Sequence, residues 1–284
     1  MRGVALARFP PEISTLARAC LAGTCVVATA CASAAVDPAQ NDMSGGGASE
    51  GRIEARPRPD GGQARSRPET PGLRAVSARE GALLYLPARY RPDRRWPLVV
   101  VLHGAGSNAR SGLAPLRQLA DDQGVILFAP RSRNRTWDAV LGAHGPDVAS
   151  IDALLEQVFG RLSVDPDRLA IGGFSDGASY ALSLGLANGD LFTDVIAFSP
   201  GFLPSGGRRE RPAVYIAHGM SDPVLPIART SRRIVPSLRR AGYPVDYREF
   251  DGGHAVPPEV ARAALERFLG SRPVRGSTRP SSSS

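Results

Sequence analysis

The sequence contains no lysine, and all 35 of its basic residues are arginine. Against 27 acidic residues this leaves a formal net charge of +8. The arginines are scattered along the chain or lie in its terminal segments, and they form no stripe interleaved with aromatic residues. This pattern argues against a nucleic-acid-binding protein. The positive charge instead suits anionic substrates or a membrane surface, as a modest long-range effect.

Cysteine and histidine are also scarce. The three cysteines, Cys20, Cys25 and Cys31, all fall near the start of the chain. We therefore predict no disulfide in the remainder. The four histidines do not follow a ligand spacing such as H-x-x-x-H, so the sequence predicts neither a metal site nor a metal cofactor.

The first residues have the features of a targeting segment. Arg2, Arg8 and Arg18 precede the apolar stretch ACLAGTCVVATACASA, which is too short for a transmembrane helix and ends in small-x-small cleavage patterns. We predict that residues 1–34 are a signal peptide and that the protein is exported, to the periplasm or the medium. The alternative is a lipoprotein tethered to the membrane through Cys31.

Two polar stretches flank the predicted domain. Residues 35–72 are rich in Gly, Pro, Ser, Arg and Asp and have almost no apolar periodicity, which is typical of a disordered linker. Residues 271–284 have a similar composition and are predicted to be a disordered tail. A single catalytic domain is expected over residues 73–270, a length sufficient for one core.

Short apolar runs alternate with helical patterns throughout this domain. The runs are continuous and rich in Val and Ile, as in strands buried on both faces: LVVVLHG, VILFAP, RLAIGGF, DVIAFSP and AVYIAHG. Residues 73–88 are expected to form an antiparallel lead-in, VDYREF a further strand, and PPEVARAALERFLG a closing helix. The alternation predicts an α/β fold with a mostly parallel central sheet and helices on both faces.

One glycine-rich turn stands out among the loops that follow the strands. Gly173-Phe174-Ser175-Asp176-Gly177 matches G-x-S-x-G, follows a predicted strand and opens a predicted helix. A serine at such a turn needs small residues two positions away on either side, because the backbone is tightly bent. The same motif also occurs in ordinary turns, so its meaning depends on whether the chain supplies a base.

A base and an acid follow in the order of the α/β-hydrolase architecture. His254 is the one histidine that comes after both the serine turn and a strand-end aspartate, Asp222. We predict that Ser175 is the nucleophile, His254 the base, and Asp222 the carboxylate that orients it. Asp246 and Asp251 are alternative acids.

Backbone N–H groups should complete the site as an oxyanion hole, which needs two convergent donors. The residue after the nucleophile, Asp176, supplies the first. The second is expected from the loop after LVVVLHG, with Ala105 preferred and Gly106 as the alternative.

The motifs LHGAGSN, GFSDGA, HGMSDPVLP and DGGH, in this order, resemble the α/β-hydrolase esterases of the phospholipase/carboxylesterase family. The resemblance implies the same triad, a serine-ester mechanism and no cofactor. The family often has glutamine after the serine, where this chain has Asp176. It also carries a tryptophan beside an acidic residue, and Trp137 in Thr-Trp-Asp resembles it. We predict that Trp137 lines the acyl pocket, with packing in the core as the alternative.

The predicted substrate is a small-molecule ester. Only GFLPSGGRRERP separates DVIAFSP from AVYIAHG, which leaves no room for a cap domain. An open, shallow site favours short-chain esters, with Phe174, Leu225 and Gly106 among the expected pocket residues. The alternatives are a depolymerase of polyesters or hydroxyalkanoate oligomers, an aryl esterase, a lysophospholipase, and an inactive binding protein on the same fold.

Overall fold

A computed structural model describes five stretches of the chain: residues 51–58, 69–77, 79–141, 144–203 and 207–270. The predicted signal peptide, Cys31 and the predicted tail lie outside the described residues. No helix within the described stretches has the length and the apolar character needed to cross a membrane.

The core of the fold is an eight-stranded sheet. Its strands are β1 (Gly72–Ser77), β2 (Ala82–Leu86), β3 (Trp96–Leu102), β4 (Ile126–Ala129), β5 (Val164–Phe174), β6 (Asp194–Phe198), β7 (Ala213–Gly219) and β8 (Val245–Phe250). The strand order is β1-β2-β4-β3-β5-β6-β7-β8. Strands β1 and β2 pair antiparallel, as predicted for the lead-in, and the pairs from β4 through β8 are parallel.

Helices cover both faces of this sheet. They are α1 (Ala109–Leu113), α2 (Arg117–Gln123), α3 (Pro146–Arg161), α4 (Asp176–Ala187), α5 (Ser231–Arg240) and α6 (Pro258–Gly270). Side chains of α3, α4 and α5 join one apolar cluster, and those of α1, α2 and α6 join the other. The predicted α/β-hydrolase fold is confirmed.

Strand β3 shows why both faces are apolar. Leu98, Val100 and Leu102 point into the cluster under α3 and α4, whereas Val99 and Val101 point into the cluster under α1 and α6. Successive side chains of a strand face opposite sides, so a central parallel strand needs a continuous apolar run.

The stretch GLAPLRQLADDQG has one of the helical patterns that alternate with the apolar runs, and it predicts a single helix. That prediction is wrong. The structure has two short helices, α1 and α2, separated by Ala114, Pro115 and Leu116. Pro115 has no N–H to donate back to the preceding turn, and its ring interferes with that turn. The chain therefore ends one helix before Pro115 and starts another after it.

The linker predicted over residues 35–72 is wrong for residues 51–58, which we call the strap. Ile53 of the strap is fully buried in the cluster under α3 and α4, and Ala55 is 5% exposed. Asn188 accepts from the Ile53 N–H at 2.9 Å and donates to the Gly51 carbonyl at 2.7 Å. The strap satisfies its backbone with side chains of the domain, so it needs no periodic pattern of its own.

Charged contacts fix the strap further. Arg52 donates to both carboxylate oxygens of Asp190, at 2.5 and 2.6 Å, and Arg56 adds a contact of 2.8 Å to the same carboxylate. Asp152 accepts from the N–H groups of Glu54 and Ala55. The paired arginines hold the pKa of Asp190 at about 2, with the Arg52 hydrogen bonds as the main cause.

Candidate active site

Ser175 occupies the turn between the carboxyl end of β5 and the start of α4. Its φ of 58° and ψ of −121° put a non-glycine residue in a backbone region that costs about 1–3 kcal/mol. Its N–H donates to the carbonyl of Phe198 in β6 at 2.9 Å, which fixes the turn to the neighbouring strand. The strained turn leaves the Ser175 side chain partly exposed at the carboxyl edge of the sheet.

The glycines of the motif are required by close backbone contacts. A Cβ at Gly173 would lie 2.5 Å from the carbonyl carbon and oxygen of Gly177. A Cβ at Gly177 would overlap the carbonyl oxygens of Leu102 and His103 at the end of β3. The motif therefore matches the sterics expected of a nucleophile elbow.

The three residues singled out by the sequence lie in one hydrogen-bonded chain. His254 Nε2 is 3.0 Å from Ser175 Oγ, and His254 Nδ1 is 2.6 Å from Asp222 Oδ2. An ionised carboxylate can only accept, so the proton of the neutral ring lies on Nδ1. Nε2 is then free to accept the proton of the Ser175 hydroxyl.

Asp222 is well placed to remain ionised. Burial alone would raise the pKa of its carboxyl, but hydrogen bonds from the Leu225 N–H, the His254 ring and the Val224 N–H together lower that pKa. The two backbone donors lie 2.8 and 2.9 Å from Oδ1. A carboxylate held by backbone N–H groups keeps one fixed orientation, so it also fixes the ring of His254.

His218 is a further residue at the site, and the sequence analysis assigned it no role. Its Nε2 is 2.8 Å from the carbonyl of Leu225 and 3.2 Å from Asp222 Oδ2, while Nδ1 is 2.7 Å from Ser231 Oγ. Carbonyls only accept, so the proton lies on Nε2 and the Ser231 hydroxyl donates to Nδ1. Burial lowers the pKa of His218, which favours this neutral form. Its position at the end of β7, four residues before Asp222, is the sequence feature that could have indicated a role beside this aspartate.

The acid and base loops are bonded to each other. The N–H of Ser221 donates to the carbonyl of Gly252 at 3.0 Å, and a Cβ at Gly219 would overlap the carbonyl oxygen of Gly253. The two-glycine turn before the histidine can therefore lie directly on the end of β7.

The alternative acids lie elsewhere. Asp246 pairs with Arg267 at 3.3 Å, and Asp251 is exposed. Of the three candidate aspartates, Asp222 is the one that contacts His254.

The loop after β3 distinguishes the two candidate second donors. Gly106 donates its N–H to the carbonyl of Arg135 at 2.5 Å, so that group is committed. The N–H of Ala105 has no hydrogen-bond partner among the described residues. A Cβ at Gly104 would be 3.5 Å from the Ser175 Cβ, which shows how closely this loop approaches the serine. The geometry favours Ala105 over Gly106.

Asp176 begins α4, so its N–H is among those left without an intrahelical partner and lies at the positive end of the helix dipole. Its side chain accepts from Thr136 Oγ1 at 2.6 Å. The carboxylate that departs from the family's glutamine thus anchors the loop after β4 to the start of α4.

The predicted pocket residues fall into two groups. The rings of Phe174 and His254 have centroids 4.6 Å apart, and the half-buried Leu225 donates its N–H to Asp222 Oδ1, so both residues border the triad. The prediction for Trp137 is wrong, because its side chain is fully buried.

Trp137 serves the core instead of a pocket. Its Nε1 donates to the carbonyl of His103 at 2.8 Å, and its ring stacks on Tyr180 with centroids 5.1 Å apart. Both contacts use the parts of the indole that a substrate would need to reach.

Apolar side chains are exposed next to the triad loops. Phe202 follows β6, and Met220 and Val224 flank Asp222; they are 37%, 48% and 62% exposed. Exposed large apolar residues in one region are typical of a binding surface. Within the described stretches, no group of three or more His, Cys, Asp or Glu side chains is arranged to hold a metal ion.

A family model described as "Putative esterase" matches residues 75–226, which include Ser175 and Asp222. The chain belongs to this esterase family. Feruloyl esterase C of Emericella nidulans is 33% identical over 166 residues, covering 56% of this chain and 60% of that protein. The chain thus spans about three fifths of the length of the first curated relatives it matches.

One further comparison supports the family, and another supports the fold. A protein of Aspergillus niger named "Probable feruloyl esterase C" is 32% identical over 227 residues, covering 68% of this chain and 83% of that protein. The apo form of Thermogutta terrifontis esterase 2 has 21% identity and a TM-score of 0.53, covering 71% of this chain and 94% of that one. At this identity the structural match supports the fold alone. The resemblance to α/β-hydrolase serine esterases, stated from the motifs, is confirmed.

Proposed function

We propose that this esterase-family protein hydrolyses carboxylic esters through an acyl-enzyme on Ser175. The observation that carries the proposal is the hydrogen-bonded chain from Ser175 Oγ through His254 to the buried Asp222, located at a strained strand-to-helix turn. A serine hydroxyl is a weak nucleophile on its own, and an oriented imidazole supplies the base it needs.

In the first half-reaction, Ser175 Oγ attacks the ester carbonyl while its proton passes to His254 Nε2. The carbonyl oxygen becomes negative, and the N–H groups of Ala105 and Asp176 bind it. Asp222 stabilises the charged imidazolium. The tetrahedral species then collapses, the C–O bond to the alcohol breaks, and the alcohol leaves with the proton from Nε2.

In the second half-reaction, water replaces the alcohol. His254 Nε2 takes one proton from the water as its oxygen attacks the acyl carbon. The same two N–H groups bind the new oxyanion. Collapse breaks the acyl bond to Ser175, and the proton on Nε2 returns to Oγ. The products are a carboxylic acid and an alcohol, and the enzyme is regenerated.

Two observations favour an accessible site for short or compact esters. The connection from β6 to β7 covers only residues 199–212, of which 204–206 lie outside the described part of the chain. Among the described residues, the large apolar side chains exposed near the triad are those of Phe202, Met220 and Val224, which together offer a small apolar surface. A long acyl chain would extend beyond this surface into water, where its additional methylenes gain little free energy.

An aromatic acyl group is the second candidate substrate class. Two relatives that are 32% and 33% identical carry the name feruloyl esterase C, and the exposed ring of Phe202 can stack on an aromatic acid. A polyester or hydroxyalkanoate-oligomer depolymerase, like a lysophospholipase, would need a longer binding surface than these three side chains provide.

The test is hydrolysis by the full chain of p-nitrophenyl acetate, butyrate, octanoate and palmitate, with methyl ferulate alongside. We expect kcat/KM to fall beyond butyrate, and Ser175→Ala to lower it by at least about 10⁴-fold. A fluorophosphonate probe should add its mass to wild-type Ser175 and not to the variant. Thermal melting of both proteins is the folding control.

The outcomes separate the candidate substrate classes. Turnover that survives Ser175→Ala in a folded protein would contradict the serine assignment. A preference for palmitate would favour a lipid or lysophospholipid substrate, and methyl ferulate turning over best would select the aryl esters. No turnover on any ester would favour an inactive binding protein on this fold.

We also propose that the protein is exported, on the basis of residues 1–34, with lipid attachment at Cys31 as the alternative. The mass of the protein recovered from cell fractions distinguishes the two, because cleavage removes the leader and lipid adds acyl chains. An intact leader on a protein recovered from the cytoplasm would contradict export.

A further inference from the structure

A cleft of about 490 Å³ lies beside the loop that follows β4. This is within the size range of small-molecule sites, about 300–1,000 Å³. Its lining is almost entirely charged or hydroxylated and consists of Arg79, Glu80, Arg131, Ser132, Arg133 and Ser150. Three guanidinium groups against one carboxylate give the cleft a net positive charge.

Among the described residues, no carboxylate forms a salt bridge with a guanidinium group of this cleft, and the Arg133 guanidinium acts on the buried Asp147 through its charge alone. Arg79, Arg131 and Arg133 form no side-chain hydrogen bond or salt bridge with the residues that the structure describes. By contrast, Arg52 and Arg232 each donate two hydrogen bonds to a single carboxylate. Neighbouring cations repel one another, and an anion that accepts from two of them relieves this repulsion.

The same loop also contacts the proposed oxyanion hole. Arg135 accepts from the Gly106 N–H through its carbonyl, and its Nη2 lies 3.9 Å from the position that a Gly106 Cβ would take. Thr136, the next residue, donates to the Asp176 carboxylate. Residues 131–136 therefore run from the cleft to both loops that would hold the reacting carbonyl.

We propose that this cleft binds a carboxylate on the non-reacting part of the ester, so that the preferred substrates are esters bearing a carboxylate. The inference rests on the proposed ester hydrolysis and specifies its substrate class. A guanidinium pair matches the two oxygens of a carboxylate, and the Ser132 and Ser150 side chains offer further polar contacts. Glu80, which accepts from Ser150 at 3.3 Å, disfavours a doubly charged phosphate more than a singly charged carboxylate.

The experiment compares isosteric pairs of esters that differ in one charge. For the alcohol side, the pair is 4-acetoxybenzoate and 4-acetoxybenzamide. For the acyl side, it is the mono-p-nitrophenyl esters of succinate, adipate and suberate, each with its terminal-amide counterpart. The quantity measured is the ratio of kcat/KM for the carboxylate to that for the amide. Full-chain wild type is compared with Arg131→Gln/Arg133→Gln.

A matched control removes the same net charge elsewhere. Arg240 in α5 and Arg262 in α6 are exposed and do not line the cleft. We expect the wild-type ratio to exceed one for at least one pair and to fall about tenfold in Arg131→Gln/Arg133→Gln. Arg240→Gln/Arg262→Gln should leave the ratio within about twofold. Raising the salt to about 1 M, where the Debye length is about 3 Å, should lower the wild-type ratio.

Glu80→Gln provides a test of opposite sign and does not depend on the double variant folding. It removes the one carboxylate of the cleft and should raise the ratio about two- to threefold. A ratio that is unchanged in both cleft variants, or that falls equally in the control, would overturn the proposal. If the proposed ester hydrolysis itself were wrong, the result would differ: even the uncharged amide esters would show no Ser175-dependent turnover.

Discussion

The strap of residues 51–58 and the loops that carry the candidate triad both lack regular secondary structure, but different interactions hold them. Charged and amide side chains of other elements bind the strap, chiefly Asp190 and Asn188. The triad loops are held by backbone bonds and close glycine contacts, such as that of Ser221 with Gly252. Damage to the strap should therefore lower the free energy of unfolding, and damage to the triad loops should lower turnover.

Among the variants that test this comparison, Asp222→Asn should produce the largest effect, and that effect should be confined to catalysis. The N–H groups of Val224 and Leu225 will hold the amide oxygen, so the amide nitrogen must face His254. The ring would then have to accept at Nδ1 and carry its proton on Nε2, where it cannot accept from Ser175. We expect kcat to fall by about 10³–10⁴-fold, measured by ester turnover.

The control for this variant is Asp246→Asn, which makes the same substitution at an aspartate that does not contact His254. It should leave kcat unchanged within about twofold. A comparable loss in both variants would show that charge removal in general, and not the orientation of the ring, limits turnover.

Ile53→Ala should show the reverse pattern. The side chain is fully buried under α3 and α4, and truncating such a residue costs about 2–5 kcal/mol in the free energy of unfolding. The measurement is chemical denaturation, with kcat/KM expected to stay within about twofold. Glu54→Ala, at a side chain that is 73% exposed, should change stability by less than about 0.5 kcal/mol. If folded Ile53→Ala lost activity, the strap would affect turnover as well as stability, and the proposed difference between the strap and the triad loops would be wrong.

Asp190→Asn should give the smallest effect, and one that depends on pH. The folded pKa of about 2 lies below the value of about 3.9 in an unfolded chain, so the ionised carboxylate stabilises the fold above about pH 4. That stability is lost as the pH falls from about 4 to about 2. We expect a cost of about 1 kcal/mol at neutral pH, shrinking over this window. Denaturation across pH measures it, with the exposed Asp251→Asn as control; a difference independent of pH would contradict the linkage.

The candidate triad could be predicted from the sequence because its signals are local. Ser175, Asp222 and His254 each lie just after a strand whose apolar run is easy to recognise, and the parallel sheet brings those strand ends to one edge. With only four histidines in the chain, few assignments were open. The break between α1 and α2 was equally local, since Pro115 is visible in the sequence.

The remaining features depend on contacts between distant segments. The choice of Ala105 over Gly106 depends on the carbonyl of Arg135, and the burial of Trp137 depends on Tyr180. Composition assigned the strap to a linker, because little beyond Ile53 in that stretch is strongly apolar. Its backbone partners belong to helices that no local pattern connects to it.

The strap also imposes an order on the folding of the chain. Ile53 bonds to a residue 135 positions downstream, so the strap cannot dock until α4 and the turn after it have left the ribosome. Closing so long a loop is entropically costly, and the contacts that offset this cost exist only once α3 and α4 are in place. We therefore expect the strap to dock late in folding, after α3 and α4 have packed on the sheet.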